Sequence, residues 1–187
     1  MDRVEPQVSE LRERGRDCYR RRQWTAAFDA FSQADETEPL AAADLWLLAW
    51  SAYLTGRDKD FARTMGRAYR SHLDAGEPLS AARCAGWLGA ILDLGGEVGS
   101  GAGWLSRAGR LVERESIDCP ERGFLHLLAA FDHAEAGNHD AMLAAATQAF
   151  DVGERFGDAD LAAGADFAEL AKANSTDTGS GANGGDL

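Results

Sequence analysis

Trp46, Trp50 and Tyr53 fall at i, i+4 and i+7 within the stretch ADLWLLAWSAY. On a helix that spacing sets three rings along one face. Leu45, Leu48, Ala49 and Ala52 make a second apolar stripe on the same segment. A helix apolar on all sides is either central to its fold or presents an aromatic strip. Aromatic rings and arginines are the groups that most often dominate binding energies. Arginines crowd the first helical segment as Arg12, Arg14, Arg16, Arg20, Arg21 and Arg22. The chemistry these residues suggest is non-covalent recognition.

Residues suited to covalent chemistry do not assemble into a pattern. His126 and His133 stand two helical turns apart, no cysteine lies at ligand spacing, and no HExxH occurs. The run GGEVGSGAG from Gly95 to Gly103 lacks the GK[ST] ending of a phosphate loop and follows no strand, so it reads as a loose turn. No GxSxG occurs. Cys18, Cys84 and Cys119 form no CxxC pair and read as free thiols of a reducing compartment. No catalytic residue, metal ligand or cofactor is expected.

These residues must be carried by helices. Ala34, Ala68, Ala108 and Ala149 recur at intervals of 34, 40 and 41 positions, and Gly56, Gly96 and Gly137 each lie 12 positions ahead of the last three alanines. A period of that size marks an array of helical hairpins, each burying its apolar face on the next. The first hairpin spans about Val8 to Glu38, stopped by Pro39. The second opens at Asp44, read as an N-cap, turns at Gly56 and ends before Gly76 and Pro78. The third turns at Gly95-Gly96, and its second helix starts among Gly99, Gly101 and Gly103. Those glycines either fray that turn or let two backbones approach closely. The fourth follows Pro120 and turns at Gly137-Asn138. A shorter ninth helix near Asp158 to Lys172 would cap the stack.

The totals agree with one folded domain and narrow its partners. The chain has 187 residues and is 45% apolar, enough for a sizeable core. A net charge of −12 disfavours direct nucleic-acid binding, which needs clustered positive charge. No apolar stretch approaches the roughly 20 residues of a membrane span. Met1 to Ser9 carries charge and no hydrophobic run, so no signal peptide is expected. A cytoplasmic location follows as the expectation. The abundance of arginine over lysine, with much alanine, suggests a bacterial source. Residues 1–7 are expected to be a flexible start, 8–173 the helical-repeat domain and 174–187 a disordered Gly/Ser-rich tail.

In the first hairpin Leu11, Gly15, Cys18, Ala27, Phe31, Ala34 and Pro39 follow the order of a tetratricopeptide repeat, and later hairpins match more loosely. The chain thus resembles that family. From Arg14 to Asp160 it is also similar to the repeat region of actinobacterial LuxR-type transcriptional regulators, in phrases such as YLTGRD, HLDAGEPLSAARCAGWLG, GWLSRAGRL and RFGDADL. Those regulators end in a DNA-binding helix-turn-helix, which this sequence does not contain. The resemblance implies an all-α, right-handed superhelix of about four antiparallel hairpins plus a C-terminal capping helix.

The family lines its concave groove from fixed positions of each first helix. Here these are Arg12, Arg16 and Tyr19, then Trp46, Trp50 and Tyr53, then Arg83 and Trp87, and in the fourth hairpin Leu127 and Phe131. The resemblance implies a non-catalytic interaction or sensing module in transcriptional regulation, holding a peptide or partner helix in that groove. A sensor or sequestering protein for a small hydrophobic or anionic ligand is the alternative. A self-associating scaffold, such as a homodimer, is another. The competing expectation for the groove side chains is that they pack against neighbouring helices.

Overall fold

A computed structural model describes residues 4–115, 117–158 and 161. Among these the chain is helical, with no strand. The elements are α1 (Val4–Arg20), α2 (Trp24–Thr37), α3 (Ala42–Tyr53), α4 (Asp58–Asp74), α5 (Pro78–Leu94), α6 (Val98–Arg114), α7 (Pro120–Glu135) and α8 (His139–Phe156). The helix starts α1 at Val4, ahead of the expected Val8. The expected ninth helix and the polar tail lie outside the described residues, apart from Asp158 and Leu161.

One turn geometry closes most of the helices. Gly56, Gly76, Gly96, Gly137 and Gly157 all take positive φ. In each case the following residue donates its N–H to the carbonyl five positions back, as Arg57 does to Ala52 and Glu97 to Leu92, both bonds measuring 2.8–2.9 Å. This is the Schellman closure, and its left-handed residue is best a glycine. After α1 the same closure forms, with Gln23 donating to Cys18, but the left-handed residue is Arg22 at φ 59°. Of the two remaining links, α2–α3 contains Pro39, and α6–α7 leads into Pro120 at the first position of α7.

The chain divides into two compact units, Met1–Arg107 and Ala108–Leu187. In the first, like helices meet like. Arg16 of α1 reaches Asp44 of α3, and Trp50 of α3 packs on Trp87 of α5. Arg67 of α4 reaches Asp35 of α2, and Tyr69 of α4 packs on Trp104 of α6. Consecutive hairpins therefore lie side by side. Small residues allow the helices to close on one another. A Cβ on Gly15 would sit 2.9 Å from the Phe31 ring, and one on Gly101 would sit 2.8 Å from the Gly89 carbonyl oxygen. The glycine-rich start of α6 thus serves the close approach of α5 and α6. The core of this unit is Ala27, Phe31, Ala34, Leu45, Leu48, Ala49, Phe61, Met65, Ala68, Cys84 and Leu88.

The second unit contains the helical hairpin α7–α8. Gly123 faces Val152, where a Cβ would lie at 2.8 Å, and Ala130 packs with Ala145 and Ala146. Arg122 donates to the carbonyls of Ile117 and Val112, and Arg155 pairs with Asp118. These bonds fix the extended link before α7.

Asp35 binds the first two hairpins of the first unit together. It accepts the Arg67 guanidinium through both oxygens, one bond measuring 2.8 Å, and the Leu40 N–H at 3.1 Å. The Arg67 hydrogen bond, foremost, holds its carboxyl below the usual range near 3.8. A carboxyl that ionises more readily in the folded chain stabilises it above about pH 3.8. That contribution is lost as pH falls through the lowered value. The free-energy gap between the wild type and Asp35→Asn, measured by urea unfolding, should be widest at neutral pH and shrink below about pH 4. Arg22→Gly should raise stability by about 0.5–1 kcal/mol, because the left-handed conformation costs an L-residue about that much.

Candidate functional site

The strongest assembly of recognition side chains lies on α3 and α5. Residues four apart on a helix stack one above the other, so Trp46 and Trp50 meet edge to face at 5.9 Å, and Trp50 meets Tyr53 at 5.7 Å. Side-by-side hairpins then bring Trp87 against Trp50 at 5.0 Å, and the helical turn from α3 to α4 brings Phe61 at 5.6 Å. Trp50 is the hub of the cluster. Edge-to-face pairs add roughly 0.5–1.5 kcal/mol each beyond the area that they bury. Phe61 is wholly buried beneath. Trp46, Trp50, Tyr53 and Trp87 each keep part of their surface exposed. The four form a wall with a solid back and an accessible front.

The arginines assigned to the same wall are engaged elsewhere. Asp44 is 2% exposed. Its two oxygens accept Nε and Nη2 of Arg16 at 2.7 and 2.8 Å, from 28 positions away. The cap of α3 is Ala41, so Asp44 is not the N-cap that its place at the helix start suggests. Its role is long-range: it fixes α1 against α3, and Arg16 is the counter-charge that a buried carboxylate requires. Arg16 remains half-exposed, but two of its donors are taken. Arg12 pairs with Glu38 and the carbonyl of Pro39, and its Nε is buried with no acceptor among the described residues. Both arginines therefore act as clasps between α1 and the start of the second hairpin. Arg83 is partly buried and also engaged.

The other assigned residues separate. Tyr19 packs on Trp24 at 5.1 Å, and burial pushes its phenol up from the ordinary value, so it stays neutral. Phe131 is 59% exposed on α7, in the second unit. Leu127, on the same helix, is partly buried.

The groups set aside for covalent chemistry occupy ordinary surroundings. The Cys84 thiol is pushed up to about 12 by burial, which suppresses the reactive thiolate. Burial raises Cys119 as well, and burial lowers His126, leaving a neutral ring. Among the described residues no three His, Cys, Asp or Glu side chains are gathered to hold a metal ion. No helix among them is long and apolar enough to cross a membrane.

A feature absent from the sequence reading is an open cleft of about 640 Å³ that shares Tyr53 with this wall. Its visible sign in sequence is the apolar Leu94 beside the Gly95-Gly96 turn, with Val98 following on the far side of that turn. They are 73% and 62% exposed.

The clasp assignment is testable by a mutant cycle. Arg16→Ala should cost about 2–3 kcal/mol in urea unfolding, since it strands a buried carboxylate. Replacing Asp44 by Leu in the same chain should recover more than half of that loss. Equal losses in the single and double variants would contradict the assignment. No protein-family model, curated protein or solved structure matches the chain.

Proposed function

We propose that this chain is a non-catalytic recognition module of the tetratricopeptide kind, which holds a peptide or partner helix against the aromatic wall of α3 and α5. The observation that carries this reading is the joining of Trp46, Trp50 and Trp87 into one partly exposed surface by packing between hairpins. Rings anchored on their inner edge lose little conformational freedom when a partner covers them, so binding is not offset by ordering. Arg16 is half-exposed, and its Nη1 lies outside the pair with Asp44, which favours a partner carrying a carboxylate.

The likeness to LuxR-type regulators supports a place in transcriptional control, with the module receiving the signal rather than touching DNA. The net charge of −12 supports the second half of that statement. A concave superhelical groove is the arrangement in which such a module would work, extended by a capping helix beyond α8.

Selection of a displayed peptide library on the folded chain should enrich sequences that pair apolar side chains with Asp or Glu. Binding of the enriched peptides should fall at least tenfold in Trp46→Ala and Trp87→Ala, with the helical circular dichroism retained. Peptides that bind these variants as well as the wild type would reject the wall as the site.

A further inference from the structure

The cleft beside the wall goes beyond the reading above, because it shares only Tyr53 with the wall and has its own charge. Its floor is apolar: Tyr53, Phe61, Ala62, Ile91, Leu92 and Leu94. Its volume of about 640 Å³ lies in the range that suits a small organic ligand. It is built where the α3–α4 turn faces the end of α5, so it belongs to the first unit alone.

The rim is charged, and not evenly. Asp58 and Glu97 contribute two carboxylates and Lys59 one ammonium. The side chains of these three make no hydrogen bond or ion pair among the described residues. Tyr53, partly exposed and backed at 5.4 Å by the buried Phe61 ring, offers a ring face that attracts a cation and repels an anion. The Lys59 stem can line the cleft while its ammonium stays in water.

We infer that this cleft binds a lipophilic cation: a small organic molecule with an apolar body and a delocalised or quaternary positive charge. Apolar floor and acidic rim together select that class. A neutral apolar molecule would leave the carboxylates unused, and a lipophilic anion would meet them. Tyr53 and Phe61 both touch Trp50, at 5.7 and 5.6 Å, so occupation of the cleft reports to the tryptophan wall directly.

The test uses two probes of nearly equal shape and opposite charge, tetraphenylphosphonium and tetraphenylborate. Titration of the full chain, followed by calorimetry and by tryptophan fluorescence, should show saturable one-to-one binding of the phosphonium. The borate should bind at least tenfold more weakly. Asp58→Asn with Glu97→Gln should weaken the phosphonium at least tenfold. Lys59→Gln should strengthen it. Glu10→Gln with Glu36→Gln removes the same net charge from exposed sites elsewhere and should change affinity less than twofold. Circular dichroism verifies that each variant is folded. Equal binding of the two probes, equal weakening by the two charge-matched pairs, or weakening by Lys59→Gln would each overturn the assignment. None of these outcomes depends on peptide binding at the wall, so the two sites stand or fall separately.

Discussion

A carboxylate buried between two helices must be neutralised where it sits, and Asp44 meets that requirement through Arg16. The bond sets α3 at a fixed height against α1. Once that height is set, the rings of α3 pack at the edge of the core that holds Leu45, Leu48, Ala49 and Ala52, and the next hairpin meets them through Trp87. Asp35 and Arg67 impose the same constraint on α2 and α4. Two charge clasps, one per row of helices, thus hold the first two hairpins in register. Apolar packing alone tolerates sliding, because one alanine-lined surface fits another at several offsets. A bidentate guanidinium–carboxylate pair does not.

This division of labour explains the character of the site. Two donors of Arg16 are committed to folding, so what the proposed module has left for recognition is chiefly aromatic. Ring contacts give Trp50 four aromatic neighbours, Trp46, Tyr53, Phe61 and Trp87, so the wall is rigid before any partner arrives. Preformed surfaces of that kind recognise by shape and desolvation, with charge supplying orientation.

Much of the architecture was legible in the chain. Glycines at 56, 96 and 137 announced turns because a Schellman closure needs a left-handed residue, and prolines at 39, 78 and 120 announced helix limits. The start of α6 at Val98 and its end at Arg114 were readable despite three glycines in its first turns. Gly101 is there because the Gly89 carbonyl lies too near for any side chain. The ring ladder on α3 followed from spacing alone. Long-range pairing was not legible. An Asp at a helix start looks the same whether it caps that helix or answers an arginine 28 positions earlier. Likewise, repeat register placed Phe131 in the wall, but register says nothing of which compact unit a helix joins. The cleft left almost no mark in the sequence, because its lining comes from the end of α3, the start of α4 and the end of α5 with the turn after it, which only folding brings together.

The most direct measurement is ¹⁹F NMR of the chain labelled with 5-fluorotryptophan, whose five resonances report Trp24, Trp46, Trp50, Trp87 and Trp104. Addition of an acidic amphipathic peptide chosen for binding should move the signals of Trp46, Trp50 and Trp87 together, and leave Trp104, packed on Tyr69 in the other row of helices, in place. Saturable binding that shifts Trp104 and leaves those three unmoved would contradict the account.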